Sequence, residues 1–404
     1  MRAMGLLKLY VAHESDIKEG RVTDVYFQRA AEVIRKSKLD DVSVAMEAHS
    51  YSLPAGYEWA VLGGIEEVAY ILEGKPVDVY AMEEGTVFKV MEPVMRLEGK
   101  YASFGQMESA VLGILRHSTS IVTKAARCRL AAGDRMLLFF GIRCVHPAIA
   151  PMVDRSAFIG GCDAVSGILG AEMMNEKPVG TMPHAMVIAF GDQVRAWKAF
   201  DELMPPDVPR IALCDTWFDE RIEATLAAES LGDRLLGVRL DTPSSRRGNM
   251  RKIAMETRWT LKLLGHEKVK IFVSGGIDES DIKGLSDVVD GFGIGTSIAF
   301  PPSVDIALDV VEVNGQPRSK KGKLPGRKQV YRCDAFHDTV VPWTKELKAC
   351  PKCNRPVEPL LKPLIKQGRI VASLPTAREI RDKVLLQLKR IASLQTFETE
   401  PTFY

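Results

Sequence analysis

The sequence predicts an irregular α/β barrel of about six to seven parallel strands. An N-terminal α+β domain precedes it, and a small cysteine-rich C-terminal appendage follows. Three observations predict this. First, between residues 135 and 300 one phrase recurs: a short apolar run, a polar or glycine-rich turn, then a helical stretch. A parallel strand is buried on both faces and reads as a continuous apolar run, and strands alternating with helices form parallel sheets. Second, the order before residue 118 is mixed, with strand-like segments at 42–47, 77–82, 86–90 and 93–99 among helical ones. Third, the composition changes after Phe300-Pro-Pro, giving a basic segment and then a cluster of cysteines. The domains are therefore expected at 1–118, 119–312 and 313–404.

Taken in order, the first strong helix runs from Thr23 to about Arg35, with Thr23 as its N-cap. Consecutive helices are expected at 104–116 and 118–132. The repeated runs then end at Phe140-Gly-Ile-Arg143, Val179-Gly-Thr181-Met-Pro-His184, Asp215-Thr216, Arg239-Leu-Asp241, Ser274-Gly275-Gly276 and Gly293-Ile-Gly295-Thr296. Residues 307–313 read as one more strand. The last region holds a basic loop at 318–328, the cysteine cluster at 331–358 and an amphipathic helix at 376–393 that packs back on the body.

Composition excludes several classes of protein. A net charge of +2 over 404 residues gives no general attraction to nucleic acid. No apolar run approaches the roughly 20 residues that span a bilayer, and the first residues lack the pattern of a secretory signal. Cys128, Cys144, Cys162 and Cys214 stand singly in apolar or helical context. Buried free thiols of this kind suit a reducing, cytoplasmic setting.

Chemistry in α/β barrels sits at the C-terminal ends of the strands. Here that rim collects Arg143, His184, Asp215, Arg239, Asp241 and two glycine turns, an inventory suited to a ligand with phosphates and hydroxyls. Ser274, Gly275, Gly276, Gly295 and Thr296 belong to turns whose backbone N–H groups can cradle phosphate. Arg239 and Asp241 point to the same side of one strand. That side suits Arg239 to an anionic ring substituent or phosphate, and Asp241 to a metal or a ribose hydroxyl. Asp215, one strand earlier, is the partner carboxylate. Paired carboxylates with few other ligands suit Mg²⁺ held partly by substrate oxygens. His184 follows a Gly-Thr turn at a helix start, with His146 as its competitor.

The cysteine cluster is Cys333-x3-His337-x12-Cys350-x2-Cys353. Two close ligand pairs about a dozen residues apart match a tetrahedral, structural Zn²⁺ site, a zinc-binding appendage with no position left open for catalysis. Asp334 and Asp338 compete with His337 as the fourth ligand. The basic loop reads as a solvated charge run, with contact to a diphosphate as the alternative.

With these residues in view, the chain resembles the nicotinate phosphoribosyltransferases of the type II phosphoribosyltransferase group over about residues 20–310. Thr23-Asp24-Val-Tyr26, Phe140-Gly-x-Arg143, Gly180-Thr181-x-x-His184, Asp215-Thr216 and Arg239-x-Asp241 follow the family's motifs in order, and the cysteine cluster resembles the appendage of its archaeal branch. The resemblance implies transfer of phosphoribosyl from 5-phosphoribosyl 1-diphosphate to nicotinate, coupled to ATP hydrolysis, in NAD salvage. It implies a pyridine ring held between Phe140 and Tyr26, the tyrosine coming from the partner in a dimer. Arg239 is then beside the ring. Arg143, Gly275, Gly276, Gly295 and Thr296 hold phosphate and ribose. Asp215 and Asp241 surround Mg²⁺, diphosphate and sugar hydroxyls, and His184 is the histidine phosphorylated by ATP. The chain departs from the family at Cys144, where a second arginine is common. Asp163 aligns with an aspartate that nicotinamide-using relatives set against the amide. The alternatives are therefore a nicotinamide or quinolinate phosphoribosyltransferase, or a non-catalytic binding protein built on the zinc knuckle and basic loop.

Overall fold

The computed structural model describes residues 8–246 and 248–404. The chain forms two compact units. One takes the described residues up to Ser120 together with Pro302–Thr376 and Lys389–Tyr404; the other takes Ile121–Pro301 and Ala377–Leu388.

The second unit is built on six strands: β1 (Met136–Phe139), β2 (Ala164–Val165), β3 (Ile211–Leu213), β4 (Gly237–Leu240), β5 (Lys270–Val273) and β6 (Gly291–Ile294). Their order is β2-β1-β6-β5-β4-β3, and every pairing is parallel. The apolar runs are why. Leu137, Phe139, Ala212, Leu213, Val238, Leu240, Ile271, Val273, Phe292 and Ile294 are wholly buried, as strands covered on both faces require. The sheet is a half-barrel, with β2 and β3 as its two ends among the described residues. One expected strand is replaced. The segment ending at Val179 is irregular and touches the sheet through its Val179 N–H to the Val165 carbonyl, while short β2 takes the place in the sheet. Only Val179 is apolar there, and Pro178 has no N–H to give a ladder.

The other unit centres on a seven-stranded antiparallel sheet. Its order is Gln316–Pro317, Asp305–Val313, Ser43–Ser52, Pro93–Lys100, Val77–Ala81, Lys362–Lys366 and Arg369–Ile370. Met46, Leu72, Val79, Val94, Leu97, Leu115, Ile306 and Ile365 form its core. Asp305–Val313, read from the sequence as one more strand at 307–313, pairs with Ser43–Ser52, Met46 opposite Val310. Its alternating burial marks it as a strand with one core face, which suits an antiparallel sheet. Pro302–Thr376 and Lys389–Tyr404 share a unit with the N-terminal residues.

The region expected to hold a break at 116–118 lies inside one helix, Glu108–Ala132. Ser120 turns its hydroxyl back to the Arg116 carbonyl at 2.6 Å, so the polar residues bond within the helix. The Ala377–Ser393 helix buries Ala377, Ile380, Val384 and Leu388, and its Arg381 reaches Asp163 and the Cys162 carbonyl. The N-cap of the Val25–Lys36 helix is Asp24, one residue beyond the expected Thr23. Among the described residues, no helix is long and apolar enough to cross a membrane.

The basic loop turns inward. Lys320 and Lys323 pair with Asp309 at 2.7 and 3.1 Å, Arg327 with Glu98 and Glu312, and Lys328 with Glu47. Its charge answers an acidic sheet face. Burial raises the Asp309 carboxyl, but Lys320 and Lys323 outweigh it and hold it below the usual carboxylate range. A folded-state pKa below the unfolded one stabilises above the unfolded value and is lost as pH falls through the folded one. We expect Asp309→Ala to lower stability at neutral pH by about 3 kcal/mol, as for a buried charge left unpaired. Denaturant unfolding at pH 7 and pH 3 should show the difference between variant and native protein shrinking at the acid end.

Candidate active site and metal cluster

The C-terminal ends of β1 and β3 to β6 bring the expected rim residues together. Arg239 lies within β4, between Leu213 of β3 and Phe272 of β5. It is only 9% exposed. A guanidinium at such depth needs partners. It donates to the Met182 carbonyl at 3.0 Å and the Ser274 hydroxyl at 3.3 Å, and stands 3.5 Å from Asp241. Among the described residues its Nε finds no hydrogen-bond partner. Burial pushes its pKa down from the usual arginine value, with Asp241 and Asp215 opposing and the nearby Arg143 charge adding. The guanidinium carbon lies 6.0 Å from the centre of the Phe140 ring.

His184 is the first residue of the His184–Phe190 helix. Its Nε2 is 2.9 Å from Asp215 Oδ1, and its Nδ1 is 4.0 Å from Asp241 Oδ2. An ionised carboxylate only accepts, so Nε2 carries a proton, and in the neutral ring Nδ1 keeps its lone pair. Asp215 Oδ2 accepts the Asp241 N–H and meets the Thr242 hydroxyl, both at 3.0 Å. Both Asp215 oxygens are thus engaged within the protein. Asp241 differs: Oδ1 accepts the Ser274 hydroxyl at 2.6 Å, while Oδ2 faces His184 and Arg239. Among the described residues, hydrogen bonds thus reach both oxygens of Asp215 and Oδ1 of Asp241, while Asp241 Oδ2 is faced by His184 and Arg239.

The glycine turns have clear local causes. Gly275 and Gly276 have φ of +85° and +71°, backbone that favours glycine. A Cβ on Gly275 would lie 2.5 Å from the Asp241 carbonyl. A Cβ on Gly293 would lie 2.5 Å from the Phe140 ring, so this glycine makes room for the aromatic. Gly295 caps the short Thr296–Ala299 helix, and Thr296 Oγ1 is 3.4 Å from Cys144 Sγ. Ser297 and Lys124 both bond Asp278, which ties the two turns together. Burial raises Asp278, but these partners outweigh it and bring the carboxyl down to about 2. Arg143 is exposed on a single turn after Phe140, and Thr181 lies half-buried on the approach to His184.

Two expected residues lie elsewhere. Tyr26 belongs to the other unit, 58% exposed on the Val25–Lys36 helix and 4.2 Å from the Phe27 ring. Asp163 precedes β2, at the end of the strand opposite the rim. Its carboxylate takes Arg129 at 3.0 Å, Arg381 at 2.7 Å and the Leu137 N–H at 2.8 Å. Sequence reasoning missed Glu220, Glu223 and Thr242. Buried Glu223 accepts the N–H groups of Thr216, Trp217 and Phe218, which fixes the loop after Asp215. In sequence, Glu220 and Glu223 read only as the acidic first turn of a helix capped by Asp219.

In the first unit, one ligand atom from each of Cys333, His337, Cys350 and Cys353 lies within 4.8 Å of the others. Two tight turns make this possible, each passing through a left-handed residue, Phe336 and Asn354. Cys333 and Cys353 sulfurs are 3.7 Å apart, and Cys350 Sγ is 3.8 Å from His337 Nδ1. Bonds of about 2.3 Å to one tetrahedral ion require edges of about 3.8 Å. The donor set fits a metal ion. Asp334 and Asp338 do not compete: Asp334 pairs with Arg355, and Asp338 with Arg332 and Lys89. Burial raises the Cys350 thiol, but N–H groups of Cys353 and Lys352 and the His337 ring bring it down to about 7.

An open parallel half-barrel with a separate N-terminal domain fits the type II phosphoribosyltransferase fold. Comparison with known proteins agrees. The family described as the quinolinate phosphoribosyl transferase N-terminal domain matches residues 24–119, and its C-terminal domain counterpart matches 121–309. A nicotinate phosphoribosyltransferase of Mycobacterium tuberculosis is 33% identical over 324 residues, covering 76% of this chain and 67% of the relative. One of Bacillus subtilis is 28% identical over 360 residues, covering 77% and 72%. A Pyrococcus furiosus structure described as nicotinate-nucleotide pyrophosphorylase is 56% identical with a TM-score of 0.94, covering 96% of this chain and 99% of that one. Human nicotinic acid phosphoribosyltransferase shares the fold at TM-score 0.78 and 21% identity, covering 95% and 97%. The chain belongs to the nicotinate phosphoribosyltransferases, a family of enzymes.

Two outcomes follow from the geometry. Gly275→Ala places a Cβ against the Asp241 backbone, so steady-state kinetics should show kcat down at least about tenfold, with about 1–3 kcal/mol of strain in unfolding measurements. Protein purified without chelator should carry about one metal ion per chain by elemental analysis, and Cys350→Ser should lose it and unfold at lower temperature.

Proposed function

We propose that the protein transfers the phosphoribosyl group of 5-phosphoribosyl 1-diphosphate to nicotinate, forming nicotinate mononucleotide and diphosphate, coupled to ATP hydrolysis, in the reducing cytoplasm. The observation that carries this reading is His184 set between Asp215 and Asp241 beside buried Arg239. Arg239 offers a positive charge with an unsatisfied Nε next to Phe140, which suits an aromatic ring bearing a carboxylate. The negative Asp163 is held away by two arginines, which favours the acid over the amide.

The transfer breaks the ribose C1–diphosphate bond as the pyridine nitrogen forms its bond to C1, through an oxocarbenium-like state. Asp241, with one oxygen facing the site, stabilises the positive charge on the sugar. The N–H groups of the Gly275-Gly276 and Gly295 turns hold phosphate oxygens, with Arg143 at the rim. Mg²⁺ bound with the diphosphate at Asp241 would neutralise the leaving group. In the coupling step, the Nδ1 lone pair of His184 attacks the γ-phosphorus of ATP, an N–P bond forms and the bond to ADP oxygen breaks. The positive charge that develops on the ring is stabilised by Asp215 at Nε2–H.

Zn²⁺ is the proposed metal of the Cys3His cluster, in a structural role, since a closed tetrahedral shell leaves no open ligand position. The exposed Tyr26, with exposed Val25 and Val33 on one helix, supports a dimer in which Tyr26 completes the partner's site.

The test offers nicotinate, nicotinamide and quinolinate separately with 5-phosphoribosyl 1-diphosphate and Mg²⁺, each with and without ATP. Nicotinate mononucleotide formed from nicotinate and faster with ATP is expected; product from quinolinate with release of CO₂ overturns the reading. Asp241→Ala should cut kcat about 100-fold or more. Arg239→Ala should raise the nicotinate KM. γ-labelled ATP should leave an acid-labile phosphate on the native protein and none on His184→Ala.

A further inference from the structure

Asp215 is gripped from both sides. Oδ1 meets His184 Nε2 at 2.9 Å; Oδ2 takes the Asp241 N–H and the Thr242 hydroxyl. That same hydroxyl lies 2.6 Å from Glu220 Oε1. Glu220 is 9% exposed and begins the Glu220–Leu231 helix. The hydroxyl thus stands between two carboxylates, one from a strand end and one from a helix, and its single proton can go to only one of them at a time.

The orientation of an aspartate carboxylate is soft. Its terminal torsion is broad and about twofold, so hydrogen bonds decide where the oxygens point. The Asp215 side chain is 4% exposed, so bulk water is not at hand to do this. The Asp241 N–H holds Oδ2 from one direction, and the Thr242 hydroxyl from another. Glu220 competes for the same proton. If the Thr242 hydroxyl is lost, the carboxylate can turn, and the bond that sets the His184 tautomer is free to shift with it. A hydrogen bond to the second nitrogen is what decides which imidazole nitrogen is the nucleophile.

We propose that Thr242 is a positioning residue: its hydroxyl, for whose proton Glu220 competes, holds Asp215 in the orientation that keeps the proton on His184 Nε2 and leaves Nδ1 as the reactive nitrogen. Neither Thr242 nor Glu220 touches the reacting phosphorus. The proposal deepens the reading of His184 as phosphoryl acceptor and rests on it for its effect on rate. The tautomer it specifies does not require that reading.

The experiment uses the full chain labelled with ¹⁵N-histidine, in native form and as Thr242→Val, Thr242→Ser and Glu220→Gln. His184→Asn identifies the His184 signals among the seven histidines. The native protein should show one protonated and one bare nitrogen for His184, the Nε2–H form. Thr242→Val should show a mixture of the two tautomers, and Thr242→Ser, which restores the hydroxyl, the native pattern. In parallel, γ-labelled ATP measures the rate of phosphate capture. Thr242→Val should slow it about tenfold, the size of one hydrogen bond to a charged group. Glu220→Gln, whose amide can donate to the Thr242 oxygen and leave the hydroxyl proton to Asp215, should keep the native rate or exceed it. Thr242→Ser should recover to within about threefold, and the nicotinate KM should stay within about twofold in all three. Native tautomer and native labelling rate in Thr242→Val overturn the proposal, as does a Glu220→Gln slowed as much as Thr242→Val. If Thr242→Val is unfolded by thermal melting, Thr242→Ala takes its place. If the native protein takes no label, the phosphoryl-acceptor reading fails, and the tautomer spectra still decide the role of Thr242.

Discussion

A guanidinium inside a parallel strand is the constraint around which the site is organised. Arg239 sits where β3 and β5 would otherwise present only apolar neighbours, and its charge has to be answered. Three partners come from three places: Asp241 two residues on, Ser274 at the end of β5 and the Met182 carbonyl on the loop before His184. Each of these also shapes the rim. Ser274 donates to Asp241, and the Met182 loop delivers His184 to Asp215. Satisfying one buried charge thus sets the relative positions of an imidazole, two carboxylates and a glycine turn.

The division of labour between the two aspartates follows from the same arrangement. They are alike in type and lie on adjacent strands, yet one is saturated by the protein and the other keeps an oxygen toward the site. Under the proposed mechanism the first orients the imidazole and the second faces the substrate, and the protein hydrogen bonds to each differ accordingly.

Much of this was legible in the sequence, and the reasons are specific. Parallel strands are apolar throughout, so the polar residues that end them stand out; Arg239, Asp241, Ser274 and Gly275 were found this way. Cysteine spacing is likewise a local signal, because both turns of the cluster close within five residues. What was not legible depends on distance through space. Glu223 and Glu220 look like ordinary acidic residues at a helix start, and only the fold shows three loop N–H groups and a hydroxyl arriving at them. Val179 looked like a strand end because a valine precedes Gly-Thr, but a single apolar residue after proline does not sustain a ladder. The basic segment 318–328 looked solvated because nothing local reveals that Glu47, Glu98, Asp309 and Glu312 share one sheet face. Strand 305–313 was assigned to its sequence neighbours, although its alternation pointed to a half-covered sheet.

That last strand has a consequence for the order of events during synthesis. The unit to which the N-terminal residues belong is completed by Asp305–Val313, Lys362–Lys366 and the final residues. Ser43–Ser52 therefore emerges from the ribosome long before the strand that pairs with one of its edges, and for some 250 residues that edge is open. At translation speeds of about 5–20 residues per second the wait is tens of seconds. The half-barrel, continuous from Ile121 to Pro301 apart from one late helix, has its six strands in hand first. An unpaired edge is the element that invites pairing with other chains. Nascent copies on neighbouring ribosomes are thus exposed to one another through Ser43–Ser52 throughout the interval in which the half-barrel is being made.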